Sequence, residues 1–188
     1  MFNYIKVDNN NLMLATKIQM EIFPEESGYE HFLYTIKRNT DYEKYFLVYK
    51  DDDIVGITGL YSNEDINETN SIWLGWFGVL EKYRSQGYGR KILLDTIEMA
   101  KELSTKYPIK YFRLYTSEID EAIALPLYDS VMDIKEYYNN ENDCNYDNTC
   151  LIYTKSLFDN KPEKWNDRFL NIKGIIEEQE SGNQKFSQ

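Results

Sequence analysis

One histidine and two cysteines are all that this chain offers in imidazole and thiol. A Ser-His-Asp or Cys-His mechanism would have to run through His31. That residue lies in a helical stretch with no nucleophile motif beside it, so both mechanisms are set aside. Cys144 and Cys150 have a spacing that fits no zinc pattern, and His31 is far from them. They read as reduced thiols, and no metal is expected. No run approaches the roughly 20 apolar residues that span a bilayer. The opening MFNYIKVDNN lacks the basic-then-apolar order of a signal peptide. A cytoplasmic protein with no membrane partner is therefore expected. Basic residues are also in the minority: 21 Lys and Arg face 32 Asp and Glu, a formal net charge of −11. Phosphate binding needs clustered Lys and Arg, so the charge argues against nucleic acid as the main partner. The same balance suits a cationic substrate and is also ordinary in globular proteins.

What is present is enough for a core: 42% apolar and 15% aromatic residues in 188, the size of one domain with an appendage. The chain is organised around Ser71 to Lys101. Ile72 to Leu80 is an almost unbroken apolar run, which reads as a central strand covered on both faces. Gly75 and Gly78 interrupt it and suggest a bulge or a close ligand. Arg84-Ser85-Gln86-Gly87-Tyr88-Gly89 then makes a turn. Leu93, Ile97 and Ala100 follow at helical spacing, predicting a helix from Tyr88 to about Thr105. The first N–H groups of such a helix have no partner within it, and its dipole favours an anion there.

The remaining elements follow in order. Phe2 to Val7 reads as a strand. Two helical patterns follow, the first over Leu12, Ala15 and Ile22, the second over Phe32, Leu33 and Ile36, parted by Phe23-Pro24-Glu25-Glu26-Ser27-Gly28. Lys44 to Lys50 and Ile54 to Tyr61 make a hairpin around an acidic turn. Gly56 and Gly59 in its second arm signal crowded packing or a bulge. After the central helix come a strand from Tyr111 to Thr116, a helical run through Ala122, Leu125, Leu127 and Tyr128, a strand beginning at Tyr137 and Tyr138, and a last strand from Thr149 to Ser156. Pro126 sits awkwardly in the helical run. Beyond Asn160, Pro162 suits a first helical turn, and Trp165, Phe169, Ile172 and Ile176 form one stripe. The order implies an α+β fold with one mixed, mostly antiparallel sheet flanked by helices. The expected division is a domain over 1–157 and a helical extension with a frayed tail over 158–188.

The glycine turn is not a Walker loop, which needs G-x-x-x-x-G-K-[ST], nor a dinucleotide fingerprint, because Ile92 stands where the third glycine belongs. What remains is R-x-x-G-x-G: Arg84, Gly87 and Gly89. With a buried strand before it, a helix after it and Val79 five residues ahead of Arg84, it resembles the acyl-CoA-binding motif of the GNAT superfamily of N-acyltransferases. Ile54-Val55-Gly56, Ala124-x-x-Leu127-Tyr128 and Lys155-Ser156-Leu157 extend the likeness over roughly residues 2 to 157. The chain departs from the family pattern at Glu81, at Glu121 and at Met132-Asp133.

The resemblance implies an acetyl-CoA cosubstrate. Its pyrophosphate would lie on the backbone of Ser85, Gln86, Gly87, Tyr88, Gly89 and Arg90, with Arg84, Arg90 and Lys91 able to add charge. The pantetheine arm would run along Phe77, Gly78 and Val79, which would explain why position 78 is glycine. Tyr128 would protonate the leaving thiolate, and a backbone N–H near Val79 or Leu80 would meet the oxyanion. The strand Ile72 to Val79 carries no carboxylate or imidazole, so the base falls to a water chain or to Glu25 or Glu26. The acceptor, a small-molecule or peptide amine and cationic on electrostatic grounds, would lie near Glu25, Glu26 and Tyr29. Tyr29, Phe32, Trp73 and Trp76 are candidate aromatic walls, with core packing the preferred reading for both tryptophans. The function expected is N-acetyl transfer from acetyl-CoA to a primary amine by direct attack in a ternary complex. The alternative is a non-catalytic acyl-CoA-binding or interaction module on the same fold. The C-terminal stripe either caps the domain's own sheet, the preferred reading, or drives a homodimer.

Overall fold

The computed structural model describes residues 1–62, 66–119, 122–144 and 146–170. Strands β1 (Phe2–Lys6), β2 (Lys44–Lys50), β3 (Asp53–Tyr61), β4 (Ser71–Leu74), β5 (Gly78–Val79), β6 (Tyr111–Ser117), β7 (Ile134–Tyr137) and β8 (Cys150–Ser156) form one sheet. Its order is β1-β2-β3-β4-β6-β8-β7, with β5 paired to β3. The β4–β6 pair is parallel and the others described are antiparallel. The mixed, mostly antiparallel sheet expected from the element order is the one observed.

Helices α1 (Leu12–Ile22) and α2 (Tyr29–Arg38) cover one face. There Leu12, Ala15, Ile18 and Phe32 bury against Tyr45, Leu47 and Ile57. Helix α4 (Tyr88–Ser104) and the short α5 (Leu125–Val131) cover the other. Leu93, Ile97, Ala100 and Tyr128 pack there with Leu60, Ile72, Phe112 and Leu114. A four-residue helix α3 (Ile66–Thr69) precedes β4. Period-two alternation along β3 divides its residues between the layers: Thr58 hydrogen-bonds Thr96 of α4 at 2.9 Å, while Ile57 and Tyr61 turn to the opposite face. Among the described residues no helix is long and apolar enough to cross a membrane.

Several sequence expectations change here. The apolar run Ile72–Leu80 is two short strands rather than one, parted at Gly75–Phe77. The run through Ala122 to Val131 starts as a 3-10 turn, so Pro126 falls in the first turn of α5, where a missing N–H costs nothing. The strand placed at Tyr137 ends there; it begins at Ile134. Residues 158–170 contain no helix but turns and extended chain. Trp165 is fully buried in this segment while Phe169 is 43% exposed, so they do not share one buried stripe. Ile172 and Ile176 lie outside the described residues.

This C-terminal segment is tied down at many points. The Trp165 ring meets Trp73 edge-on, centroids 4.9 Å apart. Glu136 accepts the backbone N–H groups of Trp165 and Asn166, each at 3.0 Å. Arg113, 0% exposed in the middle of β6, donates to Ser71 Oγ at 2.9 Å, Thr154 Oγ1 at 2.5 Å and the Glu163 carbonyl at 2.9 Å. Its guanidinium also lies over the rings of Tyr111 and Trp165. Burial and the neighbouring Arg168 cation push Arg113 down to about 10.

Candidate functional site

The site begins where the sheet comes apart. Strand β4 pairs with β3 at Leu60↔Leu74, and β5 resumes the pairing at Ile57↔Gly78. Thr58 and Gly59 on β3 therefore face Gly75, Trp76 and Phe77, one residue too many, which is a β-bulge. Trp76 takes a positive φ of 41° to carry it. The crowding comes from Tyr45. Its ring fills the space a Cβ on Gly59 would need, and its hydroxyl would lie 2.6 Å from a Cβ on Gly75. A larger residue at either position would push Tyr45 out. On the other side, β6 pairs with β4 only from Ser71↔Tyr111 to Trp73↔Arg113. Strand β5 pairs with β3 alone, so a gap opens between β5 and β6.

The predicted arm residues line that gap. Phe77 and Gly78 are half-buried and Val79 is 9% exposed. Tyr128 on α5 is buried, with its ring centroid 6.2 Å from that of Phe77 and 5.5 Å from that of Tyr153. The tyrosine and the strand segment singled out from sequence thus meet across the gap. Gly78 has a reason within the fold to be glycine, beside the one expected: a Cβ there would lie 2.5 Å from Cγ2 of Ile22 on α1. The Leu80 N–H is already spent on the Val55 carbonyl at 2.9 Å. Alternation along the strand turns the Val79 amide the other way, into the gap.

The turn between β5 and α4 is built on two left-handed residues, Ser85 (φ 62°) and Gly87 (φ 77°). Gly87 caps α4 without a side-chain hydrogen bond, and no acidic residue sits in the first turn. The first N–H groups of α4 therefore face outward uncapped by side chains. Gly89 packs loosely, since a Cβ there would lie 3.6 Å from Leu127 and 3.9 Å from Val79. The basic residues are partly engaged. Arg84 Nε donates to the Val79 carbonyl at 3.0 Å, tying the turn to the strand. Arg90 Nη1 donates to Ser130 Oγ at 2.7 Å, joining α4 to α5. Lys91 pairs with Asp95 one helical turn on.

On the opposite face, Glu25 and Glu26 are exposed and Tyr29 is half-buried at the start of α2. Their loop is held by buried Gln19, whose Nε2 donates to the Glu26 carbonyl at 3.3 Å and whose Oε1 accepts the Gly28 N–H at 2.6 Å. Trp73 is core, as preferred, whereas Trp76 is half-buried between Phe23 and His31. Behind this loop His31 meets residues the sequence did not single out. His31, Tyr34, Thr35, Glu43, Tyr45, Tyr61 and Ser62 line a small cavity of about 10 Å³, room for about one water. Glu43 is a lone acid ahead of a strand and gave no pattern to find it by. The pairing of Tyr45 with Gly59 across the hairpin was the available signal.

The sequence profile of the acetyltransferase (GNAT) family matches residues 12–132. No curated protein matches the chain by sequence. Many solved structures share the fold. NAA60 of Arabidopsis thaliana, in complex with a bisubstrate analogue, is 12% identical with TM-score 0.59, covering 84% of this chain and 98% of its own. A spermidine N-acetyltransferase SpeG chimera from Vibrio cholerae and hSSAT is 12% identical with TM-score 0.60, covering 94% and 98%. The ribosomal-protein-S18-alanine N-acetyltransferase of Escherichia coli is 15% identical with TM-score 0.58, covering 90% and 100%. At such identities the likeness is one of fold.

Proposed function

The chain belongs to the acetyltransferase (GNAT) family, and on that premise we propose that it moves an acetyl group from acetyl-CoA to a primary amine by direct attack in a ternary complex. The observation that carries this is the gap beside β5, with Phe77 and Val79 on one side, Tyr128 on the other and the uncapped start of α4 at its end. The pyrophosphate lies on the N–H groups around Gly87 to Arg90, where partial positive charge is concentrated. The pantetheine arm runs along Phe77 to Val79. The amine nitrogen attacks the thioester carbon, and the Val79 amide faces the oxyanion. The C–S bond breaks, and Tyr128 gives its phenolic proton to the departing thiolate. No carboxylate or imidazole projects from the β4–β5 path, so the proton of the amine leaves by water.

Thiol release from acetyl-CoA over a panel of amines tests this, beside thermal stabilisation by acetyl-CoA alone. Turnover in the wild type and a fall of about a hundredfold in kcat for Tyr128→Phe are expected. Stabilisation by acetyl-CoA with no thiol release over the whole panel assigns the chain instead as an acyl-CoA-binding module.

A further inference from the structure

Helix α5 carries Tyr128 but has little to hold itself in place. It is seven residues long, and Ala124 at its start makes no side-chain capping bond. A helix of about two turns is not stable alone, so its neighbours decide where its side chains stand. The Tyr128 ring is flanked by two others. Phe77 of the bulge has its centroid 6.2 Å away, and Tyr153 of β8 has its centroid 5.5 Å away. Tyr153 is the firmer wall of the two. It is 1% exposed, in a strand paired with β6 on one side and β7 on the other.

Tyr153 also grips the helix through its hydroxyl, which donates to Oδ1 of Asp129, the residue after Tyr128, at 2.7 Å. Lys135, the register partner of Tyr153 on β7, has its Nζ 3.4 Å from the same oxygen. The charge states suit the bond. Burial, then the bond to Asp129, raises the Tyr153 phenol, so it keeps its proton. The bond from Tyr153 and the Lys135 ammonium lower Asp129, so it remains an acceptor. A surface ion pair alone adds little, so the tie that matters is the phenol, which comes from the buried sheet. Successive residues on a helix point about 100° apart. Fixing Asp129 therefore fixes the rotation of α5 about its axis, and with it the direction of the Tyr128 side chain. The acetyl transfer described above uses neither Tyr153 nor Asp129. We propose that Tyr153 is a positioning residue: through Asp129 it sets the rotation of α5 and so holds the Tyr128 phenol at the gap. The proposal rests on the acetyl-transfer reading for the use made of Tyr128, but the placement of the ring is testable without it.

Three variants of the full-length protein test this. Tyr153→Phe keeps the ring and removes the hydroxyl, Asp129→Ala removes the acceptor, and Asp129→Asn keeps an acceptor oxygen. NMR of ring-labelled tyrosine, without acetyl-CoA, follows the Tyr128 signal, identified by its loss in Tyr128→Phe. That signal should move in Tyr153→Phe and in Asp129→Ala and stay in place in Asp129→Asn. With acetyl-CoA and an amine that releases thiol, kcat should fall about tenfold in the first two variants, as a small misplacement of a reacting group produces. KM for acetyl-CoA should hold, and Asp129→Asn should keep most of the wild-type kcat. In a Tyr128→Phe background Tyr153→Phe should cost nothing further, whereas a merely structural role would cost the same in both backgrounds. A folded Tyr153→Phe with an unmoved Tyr128 signal overturns the proposal, as does an equal fall in the Tyr128→Phe background. If Tyr153→Phe does not fold, Asp129→Ala decides alone. A moved signal with full kcat in Tyr128→Phe keeps the positioning and removes Tyr128 as the acid. Thiol release that falls in Tyr128→Phe but not in Tyr153→Phe or Asp129→Ala does the reverse.

Discussion

The hydroxyl of Tyr45 stands where a side chain on Gly75 would have to go. A Cβ at Gly75 would lie 2.6 Å from that oxygen and 2.8 Å from the ring carbon Cε1. The bulge that parts β4 from β5 is thus locked to a residue on β2, two strands away. Gly75→Ala should cost about 1–3 kcal/mol, the usual penalty for overpacking. Removing the hydroxyl with Tyr45→Phe should recover part of that loss in the double variant, beyond the sum of the singles. Urea unfolding midpoints of the four proteins measure the coupling. Strict additivity would mean that the two residues do not constrain one another.

The two glycines of the turn should separate cleanly. Gly87 has φ 77° and open space where a Cβ would stand, so its requirement is conformational. Gly87→Ala should cost about 1–2 kcal/mol, the penalty for an L-residue in the left-handed region. Gly89 has ordinary helical space, so Gly89→Val should fold. Its side chain would stand between Leu127 and Val79, in the gap. Acetyl-CoA should then give little of the thermal stabilisation expected for the wild type. Undiminished stabilisation in a folded Gly89→Val would remove the turn from the cofactor site.

His31 is the chain's only histidine, so one imidazole signal in an NMR titration belongs to it. Burial lowers its pKa from the usual 6.5. The sign follows: between the folded pKa and 6.5 the unfolded chain binds the extra proton and the folded chain does not. The stability due to neutral His31 is therefore complete above 6.5 and is lost as pH falls through the folded value. The resonance should titrate below 6.5, and His31→Gln should flatten the acid limb of a stability–pH curve. A midpoint above 6.5 would contradict the half-buried placement beside Trp76.

Trp165 should behave as core although it lies beyond the family match. It is 0% exposed, with its Nε1 donating to the Arg168 carbonyl at 2.7 Å. Trp165→Ala should cost about 3–5 kcal/mol, as for other buried aromatic truncations. A loss under about 1 kcal/mol, the range of surface changes, would show that the segment does not hold the sheet.

The turn, the helix it opens and the tyrosine of the candidate site were legible because their signals are local. Gly87 and Gly89 follow an apolar run and open a helix, and Tyr128 sits in a short spaced pattern. What failed was non-local. Gly75 and Gly78 hint at a bulge in the string, but they do not show that Ile72 to Leu80 breaks into two strands there, because the cause is Tyr45 pressing on Gly59 and Gly75 across the hairpin. Gly78 reads as a ligand contact in the string, which does not show that in the fold it also clears Ile22, a residue 56 positions earlier. Glu43 was invisible because a lone carboxylate is assigned to solvent by default, and only folding brings Arg38, Ser62 and the tyrosines around it. The tail misled for the same reason. Pro162 and Trp165 fit a helix, but Glu136, Asp143 and Arg113 offer its backbone and rings better partners than a helix would.

The short parallel pairing of β4 with β6 has a mechanical consequence. Two antiparallel blocks, β1-β2-β3-β5 and β6-β8-β7, are joined through β4 by only a few residues of ladder on either side. Such a seam is where a sheet would shear first. Arg113 crosses it to Ser71, and Trp165 rests on Trp73, so the C-terminal segment acts as a rivet through both blocks. A chain cut at Leu157 would keep every strand yet lose the fastener, leaving the two blocks free to rock about the seam beside which the thioester site is proposed.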